Sequence, residues 1–445
     1  MSGGFIRVDS ADILVIGGGA AGLTAAYTAA ENGADVLLLE RNERPARKIL
    51  LTGKGRCNVT NACSDLREII ANIPGNGQFL YSALSRYMPQ DAISFFEENG
   101  VPLKTERGRR VFPVSDKSTD ITDALVRACR RTGVRVEHGR AAQLIIKDGQ
   151  CLGAITEEGG EYRAAAVIVA TGGLSYPQTG STGDGYALAK QAGHTVTALR
   201  PSLVALDCHE GFVSSLQGLS LRNVTLRAID TQTNRVVFEE LGEMLFTHFG
   251  VSGPLALSAS AHMRDMGSAP SRYRLQIDLK PARSAEQLEE RIQREISGQR
   301  LGDSFCPQED APNQTPSHGG RKNFINVLNS ILPKSLVPVI MRLAGFPLDL
   351  RASQLTREQR RTLAELLKSV PLTVTGFRPI AEAVVTSGGV DVREIDPKTL
   401  ASRLVGGLYF AGEVLDVDAY TGGYNLQIAF ATGRAAGFVN GKFIV

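Results

Sequence analysis

The chain has 445 residues, 43% apolar and 21% charged; that is the balance of an ordinary folded protein, with room for two or three domains at roughly 150 residues each, and it excludes disordered, collagen-like and disulfide-scaffold classes. Lys and Arg number 49 against 46 Asp and Glu, a net charge of +3, which lacks the basic excess of a dedicated nucleic-acid binder. No run approaches the roughly 20 apolar residues of a membrane helix, so neither a nucleic acid nor a membrane is expected as a partner.

A polar stretch over 1–10 precedes a strand predicted at 12–16. Glycines follow at once, then an Ala-rich helix over 20–32 that Gly33 ends, and a second strand over 35–40. This is a β-α-β unit with the helix as crossover. Residues 41–61 are basic and Gly-bearing, without clear periodicity. Helices are predicted near 78–99 and 120–132, and strands at 135–138, 142–147, 151–156 and 166–170. The turns between the later strands fall at Asp148-Gly149 and Gly159-Gly160. Short strand-like segments then run from Leu199, at 224–230, 235–239 and 273–278. From 284 to 370 apolar residues recur at three- and four-residue spacings, interrupted by a polar stretch at 302–320 that reads as a mobile loop. Strand and glycine signals return at Leu372. The fold class is therefore α/β, one domain (1–196 and 373–445) split by an insert (197–372) that is β-rich over 197–280 and helical over 281–372.

Gly17-Gly18-Gly19-Ala20-Ala21-Gly22 fits G-x-G-x-x-G in its required context: after a strand, opening a helix, with an acid, Glu40, ending the next strand. Gly17 permits the tight turn, Gly19 lets the backbone approach a pyrophosphate, and Gly22 lets the helix sit close on the sheet. The helix N-terminus offers free N–H groups to the phosphates. Glu40 accepts both hydroxyls of an adenosine ribose and repels a 2′-phosphate, which disfavours NADP here. Two later segments favour FAD over NAD. One is 167–173, a strand ending in Ala170, Thr171, Gly172 and Gly173. The other is 407–413, a strand ending in Gly412 and Glu413, after which 422–427 opens an apolar helix. A second helix N-terminus suits the negative charge that a reduced flavin gathers near N1 and O2.

These segments resemble the BaiN/RdsA-type flavoproteins, also called YhiN-like or aminoacetone oxidase-like. The resemblance rests on 13–22, KILLTGKGRCNVTN (48–61), RVFPVSDK (110–117), ATGGLSYPQTGSTGDG (170–185), LFTHFGVSGP (245–254), VVTSGGV (384–390) and 407–433. It implies a Rossmann-like FAD-binding domain interrupted by a β-barrel-like and a helical part. It also implies non-covalent FAD contacts at Gly17, Gly19, Ala21, Gly22, Glu40, Arg41, Lys48, Gly53, Gly55, Arg56, Cys57 and Asn58, and at Ala142, Ala170, Thr171, Gly172, Gly412, Glu413, Gly423, Asn425 and Leu426. One departure is visible: Lys54 replaces the second glycine of a GGGRCN-like string.

The resemblance favours an NAD(P)H-linked reductase passing hydride through flavin N5 to a small or steroid-like substrate, with NADH or NADPH as a transient donor. Proton-donor candidates are His248, in a Gly-rich turn, and Tyr420 and Tyr424, which flank the glycines of 422–423. Histidine is the side-chain type whose ordinary charge change falls nearest neutrality. Arg378 and Glu382 are candidate substrate contacts, and the insert is expected to cap the flavin. An amine oxidase using O2 is the first alternative, favoured by the lack of a second G-x-G-x-x-G. A tRNA-linked or redox-sensing flavoprotein is the second, with Cys57 as the thiol. The six cysteines have no C-x-x-C spacing and resemble no zinc site; reduced thiols, no metal and a cytoplasmic location are expected.

Overall fold

The computed structural model describes residues 8–263, 272–297 and 323–438. The chain forms two compact units, one from 1–204 with 378–445 and the other from 205–377.

The first unit is built on a seven-stranded sheet. Strand β1 (Val8–Ile16) ends in the run Ile13–Ile16, and all five residues of β2 (Val36–Glu40) are buried. Near-continuous apolar runs are what a parallel sheet covered on both faces requires. The connecting helix α1 (Ala20–Glu31) has Ala, Gly and Thr where it meets the sheet. It ends in a Schellman turn: Ala34 N–H donates to the Ala29 carbonyl, Gly33 N–H donates to Ala30, and Gly33 takes φ +88°. The sheet order runs Arg135–His138, β2, β1, Glu161–Val169, Gln150–Thr156, Ala141–Lys147. The strand Glu161–Val169 is forked. One edge runs parallel to β1. The other is antiparallel to Gln150–Thr156 at its start, then parallel to Leu408–Phe410 at its end.

Two local readings meet physical detail here. Asp148 and Gly149 both have positive φ, 52° and 73°, as a type I′ hairpin turn demands. The helix expected over 78–99 is interrupted: Tyr81–Arg86 and Pro89–Glu98 are separate helices. Pro89 disfavours a helical conformation at Met88, which is extended (ψ 166°), and itself starts the new helix.

The second unit is a closed antiparallel barrel with stave order Leu206–Cys208, Gly250–Ser252, Arg235–Phe246, Ser220–Asp230, Tyr273–Asp278, Val370–Phe377. Its buried residues Leu226, Leu275, Ile277, Leu372 and Val374 belong to one core with the helices Ala285–Ser297, Phe324–Leu328, Val337–Leu343 and Arg357–Lys368. Thr356 and Gln359 form a reciprocal capping box at the start of the last of these.

The units divide at 204/205 and 377/378, where the sequence reading breaks the chain at 196/197 and 372/373. Val370–Phe377 is a barrel stave, paired with Tyr273–Asp278 and Leu206–Cys208. Arg200–Ser202 pairs with Val385–Ser387 inside the first unit. The β-rich part is thus completed only after the helices. The polar stretch at 302–320, with Cys306, lies outside the described residues.

Candidate functional site

A cavity in the first unit opens where the C-terminal ends of β1, β2, Glu161–Val169 and Leu408–Phe410 meet. Ligands of open α/β sheets bind at such strand ends. Gly17, at φ +102°, turns the chain there, and a Cβ on it would stand 2.7 Å from the Ala170 carbonyl oxygen. A Cβ on Gly22 would stand 1.8 Å from the Gly17 carbonyl oxygen, so α1 can rest on the turn only without a side chain at that position. A Cβ on Gly19 would meet nothing within 4 Å, which leaves room for a ligand against the backbone. Gly19 caps α1 with no side-chain hydrogen bond and no acid follows in the first turn.

A second helix, Tyr424–Gly437, has the same character. Its N-cap, Gly423, has φ +98°, no side-chain cap and no acid in the turn that follows. A Cβ on Gly423 would stand 2.4 Å from the Thr60 carbonyl oxygen. Asn425, Leu426, Ile428 and Ala429 border the cavity. The Asn425 side chain pins the preceding turn, accepting from Ala419 N–H (2.9 Å) and donating to its carbonyl (2.8 Å). Two helix N-termini with unsatisfied amides therefore border one cavity, an arrangement that favours negative charge.

At one end sits Glu40, 6% exposed. Its carboxylate accepts from the Gly18 amide (2.7 Å), the Asn42 amide (2.7 Å) and the Asn42 side chain (2.6 Å). Beside it, Arg41 and Arg140 both line the cavity and both bind Asp184, at 3.0 Å and at 2.9 and 2.7 Å. Burial works against the Asp184 charge, but hydrogen bonds from Arg140 and Thr182 outweigh it and hold the carboxyl below its usual range.

Elsewhere on the wall Lys48 Nζ donates to Glu413 (2.7 Å) and to Ser175 Oγ (2.6 Å). Glu413 also accepts from Ser175 Oγ (2.9 Å) and the Thr386 amide (2.8 Å). One carboxylate thus ties together three segments far apart in sequence. Thr171 Oγ1 lies on the lining, buried and without a hydrogen-bond partner, and is free to serve a ligand.

Of the residues that the resemblance implies, Gly17, Gly19, Ala21, Glu40, Arg41, Lys48, Ala170, Thr171, Gly172, Gly412, Glu413, Asn425 and Leu426 line this cavity. Gly22 and Gly423 lie behind it, as packing positions. Gly53, Gly55, Arg56, Cys57, Asn58 and Ala142 are not on the lining. Arg56 stacks on Phe112 (4.2 Å) and pairs with Glu106 and Asp116. Asn58 Oδ1 is buried and unpartnered. Burial pushes the Cys57 thiol up to about 12, which makes it a poor thiolate. In the strand Ala141–Lys147 it is Ala141 that faces the cavity, while Ala142 is exposed. Lys54 is exposed and has positive φ.

None of the proton-donor candidates lines the cavity. Tyr424 is buried, which raises its phenol to about 12. Tyr420 is half-buried and its amide donates to the Asn72 carbonyl. His248 belongs to the second unit, exposed in a turn closed by the Thr247 amide on the Gly250 carbonyl. Arg378 and Glu382 bind each other (2.8 Å) rather than lining the cavity. Sequence reasoning missed Asn42, Arg140, Asp184, Ser175 and Thr386. Asp184, Ser175 and Thr386 sat in segments already singled out, Asn42 and Arg140 outside them.

A family model described as "HI0933-like protein Rossmann domain" matches residues 11–439. A 3-dehydro-bile acid delta(4,6)-reductase from Clostridium scindens is 32% identical, over 95% of this chain and 97% of its own. A ribosomal RNA dihydrouridine synthase from Escherichia coli is also 32% identical, over 95% and 96%. Among solved structures, a 3-ketosteroid delta1-dehydrogenase from Sterolibacterium denitrificans aligns over 96% of this chain and 99% of its own with TM-score 0.51 at 12% identity, a likeness of fold.

Proposed function

The chain belongs to the HI0933-like family of FAD-dependent oxidoreductases, and from that premise we propose that it reduces a carbon–carbon double bond conjugated to a carbonyl group. The observation that carries the reading is the pair of uncapped helix N-termini on one cavity, with Glu40 at one end. The first suits a pyrophosphate beside a ribose; the second suits the negative charge of a reduced isoalloxazine. Bound FAD supplies the hydride. The chain's own residues do the rest. Glu40 and Asn42 orient the ribose end, the Lys48–Glu413–Ser175 cluster fixes the wall, and Val384, Val385, Leu426 and Ile428 keep the cavity wall apolar.

The names of the two 32%-identical relatives point to one reaction on unlike substrates. A delta(4,6)-reductase of a 3-dehydro-bile acid and an enzyme that makes dihydrouridine both saturate a double bond conjugated to a carbonyl. A steroid-like small molecule is the first reading. RNA is the second, and it reopens the expectation that no nucleic acid takes part. The exposed side chains of Lys54, Arg107, Arg110 and Lys117 have no ion-pair partner among the described residues. Asn61 donates to the carbonyls of both Gly108 and Gly422, linking that basic turn to the start of the helix Tyr424–Gly437.

The test is anaerobic. Purified protein is expected to carry FAD, and NADH or NADPH is expected to bleach its band at ~450 nm; a 3-oxo-Δ4 steroid or a uridine-containing RNA should then restore it. Bleaching by an aminoketone but by neither nicotinamide would turn the reading toward an amine oxidase.

A further inference from the structure

Further along α1, from Thr24 to Glu31, the first unit has a second cavity of about 270 Å³. A single water needs only ~10–15 Å³ of such space. Its walls come from α1, Pro89–Glu98, the helix Ser118–Arg131 and Tyr424–Gly437. Its floor holds polar groups that the fold does not use. Thr28 is fully buried and its hydroxyl has no partner. Tyr87 is 7% exposed, and its hydroxyl makes no hydrogen bond among the described residues. Arg434 is stacked between Tyr87 (5.4 Å) and Phe438 (5.2 Å), with no carboxylate partner among the described residues. Buried polar groups normally find partners, so the unpartnered Thr28 hydroxyl, on one floor with the Tyr87 hydroxyl and the half-buried Arg434 guanidinium, points to a ligand.

The rim has the opposite sign. Glu31, Asp91 and Glu98 stand there against one further cation, Arg86. Glu31 accepts the Tyr27 hydroxyl (2.6 Å), and Tyr27 packs edge-on against Phe95 (5.3 Å). A simple anion suited to Arg434 would meet three carboxylates at the mouth; a simple cation suited to the mouth would meet Arg434 below. Only a molecule bearing both charges is complemented throughout. We propose that this cavity is a binding site for a small amino-carboxylate, its acid group on Arg434, Thr28 and Tyr87 and its ammonium group at Glu31 and Glu98 beside the Tyr27 ring.

The experiment uses the full-length holoprotein and calorimetric titration with glycine, β-alanine and γ-aminobutyrate at millimolar concentration, with acetate and methylammonium at equal ionic strength as single-charge controls. Saturable binding of at least one amino-carboxylate, not matched by either control, is expected. Thr28→Val, which keeps the buried shape, and Glu98→Gln, at the exposed rim, should each weaken it; Arg434→Gln should weaken it on the order of tenfold or more, the loss that accompanies a hydrogen bond to a charged group. No saturable binding by any of the three, equal binding of acetate, or unchanged affinity in folded Arg434→Gln and Thr28→Val would each overturn the proposal.

Discussion

Gly19 and Gly22 are three residues apart and should fail differently when given a methyl group. Gly19 has φ −79° and open space where a Cβ would go. Gly19→Ala is expected to keep the thermal midpoint within a few degrees and lose FAD, because the methyl occupies ligand space. Gly22→Ala drives a Cβ to 1.8 Å from a backbone oxygen, so α1 must move; a loss of about 1–3 kcal/mol is expected. Denaturant unfolding of the two apoproteins separates these outcomes. His194 supplies a pH prediction. It is buried, with Nδ1 3.0 Å from Glu394 and Nε2 2.7 Å from Ser402. Burial lowers its pKa, and the Glu394 interaction offsets that only in part. A group depressed in the folded state contributes stability above its unfolded value and loses it as pH falls toward the folded one. Stability should therefore drop below pH ~6.5, by at most about 1.4 kcal/mol per pH unit from this site, and His194→Gln should flatten that part of the profile in urea titrations between pH 7.5 and 5.5. At this scale the sequence was legible where a residue's task is set by its immediate neighbours, as for Gly17 and Gly22. Ser175 and Thr386 were hidden because their partners lie in other segments. The difference between Ala141 and Ala142 has a simple cause: adjacent residues of a strand point to opposite faces, so a displacement of one residue exchanges lining for solvent.

The elements around the cavity are joined by two carboxylates, and each makes a testable claim. Asp184, the first residue of the helix Asp184–Gln191, binds Arg41 and Arg140. Glu413 joins Lys48, Ser175 and the strand Val385–Ser387. Asp184→Asn and Glu413→Gln are each expected to raise the FAD dissociation constant about tenfold or more, at about 1.5–3 kcal/mol for hydrogen bonds to charged groups, measured by flavin fluorescence on adding FAD to apoprotein. Unchanged affinity would reduce both to fold supports. Element types were readable from the Ala-rich run of α1, the apolar run of β2 and the turn pair Asp148-Gly149. The break at Pro89 was readable too, but apolar spacing on both sides ran through it and masked the restriction that proline places on Met88.

At the scale of the molecule, the split of one domain by another was visible in the alternation of β-like and helical stretches. The closure of the barrel was not, because the stave Val370–Phe377 lies after four helices and its partners are fixed only by folding. Net charge alone does not choose between a small molecule and RNA: +3 is a sum over 445 residues, while Lys54, Arg107, Arg110 and Lys117 belong to one unit. If RNA is the substrate, binding should weaken with salt at a logarithmic slope of about −0.7 for each phosphate contacted, and replacing these four cations by glutamine should lower that slope while flavin reduction by NAD(P)H is unchanged. A slope near zero would favour the steroid-like substrate.

The fork in Glu161–Val169 bears on how the protein is made. Its outer edge is covered at the far end by Leu408–Phe410, so on the ribosome that edge waits while roughly 240 more residues are added, about 12–50 s at ~5–20 residues per second. During that interval an apolar strand edge is open to wrong pairing, and neither Gly412 nor the helix Tyr424–Gly437 yet exists to bound a nucleotide. The cofactor can enter only once the helix Tyr424–Gly437 has been made, so yellow colour in a preparation reports synthesis past that helix, and ribosome-stalled products ending before residue 407 should be colourless and prone to aggregate.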